Sequence, residues 1–79
     1  MISVAIIAGG PSAERGISLK SATTIASHLP ADKYAVTKID ITPEGWREMD
    51  TDKTIDLNEF CLLNENGGIE RKFDFAFII

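Results

Sequence analysis

The first ten residues constrain the fold of this chain more than any other stretch. Residues 2–7 read ISVAII, a continuous apolar run rich in β-branched side chains, and Gly9 and Gly10 follow closely. A short run that is apolar throughout is typical of a strand covered on both faces, as in a parallel sheet. The two glycines permit the positive φ angles that a tight turn into a helix needs. We therefore predict an α/β protein that begins with a buried strand.

The segments after this strand complete a βαβ unit. Apolar residues at spacings of three and four predict an amphipathic helix over residues 17–29, which Pro30 ends. Residues 34–41 have the composition of a strand. Ser12 and Ser18 are both candidates for the helix N-cap, and Ser18 fits the periodic segment better. The apolar positions of this helix are Ile17, Ala22, Ile25, Ala26 and Leu29.

Turn signals organise the second half of the chain. Residues 42–45, TPEG, predict a turn, and residues 46–49 a short returning strand. Residues 66–68, NGG, predict a hairpin or loop, and residues 73–79, FDFAFII, predict a final strand. Ligands of open α/β sheets bind on the loops that follow the strands. No loop follows residue 79 in this sequence, so we expect the chain to be a fragment of a longer protein.

Charge and composition argue against several classes of function. Acidic residues outnumber basic ones 12 to 8, and no Lys/Arg cluster offers the positive surface that nucleic acid requires. The single cysteine, Cys61, is expected to be a small buried apolar residue in a reducing compartment. The chain has neither a signal peptide nor an apolar stretch of membrane-spanning length, so we expect a cytoplasmic protein that binds neither membranes nor nucleic acid.

The glycine loop suggests two kinds of chemistry. Backbone N–H groups of Gly9 and Gly10, with the start of the helix, could cradle a phosphate, although Gly9, Gly10 and Gly16 match neither the dinucleotide fingerprint nor a P-loop. The glycines could equally serve the turn alone. Glu14 follows the first strand and could bind a cation in the ligand crevice, or could be solvated beside Arg15. No His, Cys or carboxylate pattern indicates a metal site.

Residues 4–29 resemble the opening of the D-alanine:D-alanine ligases. In that family an apolar strand precedes the pattern G-G-x-S-x-E-[RH]-[ED]-[VI]-S-L-x-S and a helix. Residues 33–48 are similar to a second strand and a glycine-tryptophan turn in one branch of the family, and residues 73–79 to the strand before its H-G-x-x-G-E-D-G segment. The positions that match the first pattern are Gly9, Gly10, Ser12, Ala13, Glu14, Arg15, Ile17, Ser18, Leu19 and Ser21.

The resemblance implies a Rossmann-like, three-layer pre-ATP-grasp domain with a parallel sheet over residues 1–79, lacking the central and C-terminal ATP-grasp domains. The full-length enzyme would join two D-alanines for peptidoglycan synthesis and would be a homodimer. It would use ATP with Mg²⁺ or Mn²⁺. Neither ATP nor a metal ion is expected to bind residues 1–79 alone. ATP would phosphorylate the first D-alanine, and the amine of the second would attack the acyl phosphate.

The family pattern also assigns roles to residues of the loop. It makes Glu14 the catalytic-site carboxylate that holds the α-ammonium of the first D-alanine, with Gly9, Gly10 and Ser12 shaping the loop and Ser18 capping the helix. This chain departs from the pattern at Gly16, where the family usually has an acidic residue, and we expect the lost charge to loosen the turn or change a contact with another domain.

Two alternatives remain open at this point. The chain could belong to a ligase that makes D-alanyl-D-lactate or D-alanyl-D-serine, because the residues that select the second substrate lie outside it. It could also be a small Rossmann-like module that binds a nucleotide or another anion at the glycine loop.

Overall fold

A computed structural model describes residues 1–10 and 15–79 of the chain. Within these ranges the chain forms one helix, α1 (Arg15–His28), which ends before Pro30 as predicted. The strands are β1 (Ile2–Gly9), β2 (Tyr34–Thr42), β3 (Gly45–Glu48), β4 (Ile55–Asp56), β5 (Cys61–Leu63), β6 (Ile69–Lys72) and β7 (Phe75–Ile78).

The main sheet has the strand order β3-β2-β1-β7. Strand β1 lies in the centre and pairs in parallel with both β2 and β7, which confirms the predicted βαβ unit. The predicted returning strand is also confirmed, but it makes the sheet mixed because β3 pairs with β2 antiparallel. The turn between β2 and β3 uses Gly45 at a φ of 136°, a conformation that residues with a Cβ rarely adopt.

A second, antiparallel sheet of order β4-β5-β6 packs on the first. The predicted hairpin at residues 66–68 joins β5 to β6, and Asn64 closes it by accepting the N–H groups of Asn66 and Gly68 on its Oδ1 at 2.9 and 3.0 Å. Strand β4 was not predicted. It contains two residues in a polar stretch, which is too short for an alternating pattern to be visible in the sequence.

The two faces of the main sheet are covered differently, and this produces three layers. Alternate residues of β1 point to opposite faces. Val4, Ile6 and Ala8 pack with Ala22 of α1 on one face. Ala5 and Ile7 pack on the other face with buried residues of β2 and the second sheet, namely Ile39, Ile55 and Leu62. The expectation of a strand covered on both faces is therefore confirmed.

Helix α1 meets the sheet with a narrower surface than its sequence pattern predicts. Ala22 is fully buried, and Leu19, Ala26 and Leu29 pack around the same cluster. Ile17 and Ile25 were predicted to face the core, but 70% and 37% of their surfaces are exposed. Neither residue belongs to the apolar cluster around Ala22.

Strand β7 forms the open edge of the main sheet. Its register places Phe75 beside Val4 and Phe77 beside Ile6, so both rings lie on the face that α1 covers over β1. They nevertheless remain 62% and 52% exposed, and Ile78 is 81% exposed on the opposite face. The strand predicted over residues 73–79 is thus present, with an unusually apolar exposed surface. The one helix of the described residues is too short and too polar to cross a membrane.

Candidate functional site

Strands β1 and β2 end side by side, and the glycine loop begins at this carboxyl edge. Gly9 lies opposite Ile41 in the parallel register, and the Gly10 N–H donates to the Ile41 carbonyl at 3.0 Å. The φ angles of Gly9 and Gly10 are 94° and 97°, which confirms the prediction that the turn needs glycine. The loop therefore leaves the sheet where α/β proteins bind their ligands.

The two glycines are required for different reasons. A Cβ on Gly9 would collide with Asp40 Oδ1 and would lie 2.8 Å from Arg15 Nη1. A Cβ on Gly10 would meet nothing within 4 Å, so this position is restricted only by its backbone conformation. Gly9 thus lets two charged side chains approach the end of β1 closely.

Ser18 lies inside α1, and its prediction as the helix N-cap is wrong. The described helix already begins at Arg15, which places Ser18 in its interior. Its hydroxyl oxygen instead accepts the backbone N–H of Gly9 at 3.0 Å. The periodic pattern misplaced the cap because the first turn of the helix contains Gly16, which carries no side chain to reveal the period.

Arg15 joins the start of α1 to the ends of both strands. Its Nη2 forms an ion pair with Asp40 Oδ2 at 2.5 Å. Its Nη1 donates to the carbonyl of Ile41 at 2.9 Å and, over a longer 3.4 Å, to that of Gly10. A guanidinium suits this position because its planar fork can donate to several acceptors in fixed directions.

Asp40 is the site residue that the sequence analysis missed. It pairs with Ala8 of β1 on one side and with Arg47 of β3 on the other, so its backbone is held in the interior of the sheet. Its Oδ1 is buried and has no hydrogen-bond partner among the described residues. The signal was available in the sequence, because an aspartate between two isoleucines at the end of a predicted strand is a polar residue in an apolar setting.

The described part of the glycine loop, Gly9 and Gly10, does not offer a phosphate cradle. Such a cradle needs N–H groups that point towards the ligand. The N–H groups of Gly9 and Gly10 already donate to Ser18 Oγ and to the Ile41 carbonyl. Asp40, at the position where an acidic residue of dinucleotide-binding folds accepts the ribose hydroxyl, is already paired with Arg15. The alternative of a nucleotide or anion site at these glycines is therefore not supported.

Comparison with known proteins identifies the family. The family described as D-ala D-ala ligase N-terminus matches residues 3–77. The chain belongs to this family. Within it, the D-alanine--D-alanine ligase of Parabacteroides distasonis is 42% identical, over 95% of this chain and 23% of the relative. The D-alanine--D-alanine ligase of Azobacteroides pseudotrichonymphae is 38% identical, over all of this chain and 25% of the relative.

A solved ligase structure has the same architecture. The crystal structure of D-alanyl-alanine synthetase A from Vibrio cholerae matches with a TM-score of 0.76 and 26% identity, over 95% of this chain and 22% of that one. The chain thus has the mixed α/β fold of a ligase N-terminal domain. It spans about a quarter of the length of the ligases it matches.

Two of the predicted site residues, Ser12 and Glu14, lie outside the described residues. The described residues that flank them, Gly10 and Arg15, both lie at the carboxyl edge of β1 and β2. The Gly9 N–H donates to Ser18 Oγ there, and the Gly10 N–H donates to the carbonyl of Ile41. The substrate role that the family pattern assigns to Glu14 therefore stays a prediction.

The described residues offer no side-chain cluster for the metal ion that a D-ala D-ala ligase implies. No three His, Cys, Asp or Glu side chains within residues 1–10 and 15–79 are grouped closely enough to hold a metal ion. The Arg15 guanidinium, the cation nearest the loop's described ends, donates to Asp40 and to two backbone carbonyls. We therefore assign no phosphate or metal contact to these residues.

Proposed function

We propose that this chain is the N-terminal domain, residues 1–79, of an ATP-dependent D-alanine:D-alanine ligase that acts in cytoplasmic peptidoglycan synthesis. The observation that carries the proposal is the family match over residues 3–77, in a chain that spans about a quarter of its relatives. The central and C-terminal ATP-grasp domains would supply the sites for ATP and for Mg²⁺ or Mn²⁺. The domain alone would be inactive, and the full-length enzyme would be a homodimer.

In this proposal Glu14 binds the α-ammonium of the first D-alanine. The carboxylate belongs to the loop that leaves β1, and both described ends of that loop are anchored at the ligand edge of the sheet. A fixed carboxylate would hold the amino acid in one orientation relative to the second substrate, which is catalysis by positioning and needs no proton transfer by Glu14. It would also discriminate against carboxylic acids that lack the ammonium group.

The test is the substitution Glu14→Gln in the full-length ligase, with Glu65→Gln as a matched control. Glu65 is exposed in the hairpin between β5 and β6 of the second sheet, and not in a turn at the carboxyl edge of β1 and β2. Loss of the charged partner of the ammonium should raise the KM of the first D-alanine or lower turnover by about 100-fold or more, in the range of misplaced substrates. Wild-type kinetics in Glu14→Gln would contradict the assignment.

The exposed apolar strand β7 supports the proposal of further domains. Phe75, Phe77 and Ile78 present apolar surface on both faces of an open sheet edge. An edge of this kind normally pairs with or packs against another segment. We assign this segment to the remaining domains of the same protein, which the relatives' greater length provides.

The nature of the second substrate is also part of the proposal. We favour D-alanine because the relatives quoted above are D-alanine--D-alanine ligases. Assays of the full-length enzyme with D-alanine, D-lactate and D-serine as acceptors would decide it. Preferential formation of D-alanyl-D-lactate or D-alanyl-D-serine would show that the second substrate is D-lactate or D-serine. The proposed role of Glu14 would not change.

A further inference from the structure

We propose that the Arg15–Asp40 ion pair positions the substrate loop, so that it controls binding of the first D-alanine without touching it. This inference rests on the proposed role of Glu14. Arg15 follows Glu14 directly in the chain, and its side chain is tied to the end of β2. The residue next to the proposed substrate carboxylate is therefore held by the end of β2.

The contacts of Arg15 make this anchor directional. The guanidinium donates to the carboxylate of Asp40 at 2.5 Å and to the carbonyl of Ile41 at 2.9 Å. Charge-assisted bonds from two nitrogens of one planar group fix its orientation as well as its distance. A lysine at position 15 would keep the positive charge but would lack the planar set of guanidinium donors. It would therefore hold the start of α1 less firmly.

Asp40 is suited to serve as the fixed end of the anchor. Its backbone lies between β1 and β3 in the sheet, and the space beside its Oδ1 is open only because residue 9 is a glycine. These contacts leave the carboxylate little freedom to move with Arg15. Any displacement of Arg15 relative to the sheet therefore breaks the ion pair instead of dragging Asp40 along.

The Arg15–Asp40 ion pair matters less for the stability of the fold than for the position of Arg15. Helix α1 is held to the sheet independently, by the buried Ala22 and by the bond from the Gly9 N–H to Ser18 Oγ. The side chains of Arg15 and Asp40 are 34% and 20% exposed, and partly solvated ion pairs add little to stability. Small displacements of a substrate-binding group, by contrast, reduce activity strongly.

The test compares Arg15→Lys, Asp40→Asn and the double variant in the full-length ligase, with KM measured separately for the first and second D-alanine. We expect each single variant to raise the KM of the first D-alanine about tenfold or more, because only this substrate is displaced. The KM of the second D-alanine should stay within about twofold of the wild-type value. The double variant should be no worse than the more impaired single variant, because the two residues act as a unit.

The control is a second ion pair, between Lys53 Nζ and Glu70 Oε1 at 2.7 Å, with side chains 25% and 36% exposed. Lys53→Gln and Glu70→Gln should leave both KM values unchanged. Glu14→Gln separates the two proposals. If it is impaired while Arg15→Lys and Asp40→Asn bind the first D-alanine normally, or if these two fail to fold, the positioning role is wrong. If Glu14→Gln is itself unimpaired, the proposed substrate contact is wrong.

Discussion

Gly9 and Asp40 approach so closely that a Cβ on residue 9 would overlap the Oδ1 of the aspartate. The glycine therefore does more than permit a turn. It leaves room at the end of β1 for the carboxylate of Asp40, which connects β2 to Arg15 at the start of α1.

The first prediction concerns Gly9→Ala, with Gly10→Ala as its control. The two residues have nearly equal φ angles of 94° and 97°, so each substitution should cost about 1 to 3 kcal/mol of backbone strain. Only Gly9→Ala adds a collision with Asp40. We expect it to lower the free energy of unfolding further than Gly10→Ala in urea titrations. Equal losses would show that the contact with Asp40 is easily relieved.

The second prediction concerns Gly16, where the family usually has an acidic residue. Gly16 lies in the first turn of α1, and a Cβ there would meet nothing within 4 Å. Gly16→Ala should stabilise the chain by about 0.5 to 1 kcal/mol through lower backbone entropy of the unfolded chain. Gly16→Glu should add a favourable interaction with the helix dipole, because the first turn has no acidic residue.

The control for Gly16 is Gly67→Ala. Gly67 has a φ of 85° and equally open space, so the same change should destabilise the hairpin between β5 and β6. Thermal unfolding of both variants would check that Gly16→Ala stabilises the chain and that Gly67→Ala destabilises it. A loss of stability in Gly16→Ala would mean that the first turn of α1 needs glycine here.

The third prediction concerns the thiol of Cys61. Cys61 is fully buried in β5, and burial raises its pKa, with a smaller contribution from the negative charges of Asp56 and Glu59. The native thiol should therefore not react with a thiol reagent at pH 8 until the chain unfolds. Rapid modification of the folded protein would contradict the burial of this side chain.

The same pKa makes stability depend on pH. Above about pH 8.5 the unfolded thiol loses its proton while the buried one keeps it. The unfolded state then binds fewer protons, so the contribution of Cys61 to the free energy of unfolding is present below this pH and falls as the pH rises towards the raised native pKa. Urea titrations of the wild type and of Cys61→Ala at pH 7 and 9.5 should show a larger loss in the wild type.

The fourth prediction concerns the exposed edge strand β7. The apolar rings of Phe75 and Phe77 should cause the 79-residue chain to self-associate when the proposed further domains are missing. Phe77→Lys should reduce this association, because a charge on an edge strand opposes pairing. Sedimentation at several concentrations would measure it, with Ile69→Lys in the second sheet as a control that leaves it unchanged.

The sequence alone determined the elements whose patterns are local. The apolar run of β1, the two glycines, the turn at Gly45 and the hairpin near Gly67 each depend on near neighbours in the chain, and the structure confirms all of them. The family pattern around Gly9 and Gly10 was equally readable, and the match over residues 3–77 confirms the resemblance.

Only the tertiary structure decided which side chains meet at the loop. Arg15 and Asp40 are 25 residues apart, and Gly9 and Asp40 become neighbours only because β1 and β2 pair in parallel. Ser18 is likewise drawn to the Gly9 N–H instead of capping the helix. Local patterns cannot specify such contacts. The register of β1 and β2 brings Gly9 and Asp40 together, and only a glycine at position 9 lets the two residues approach so closely.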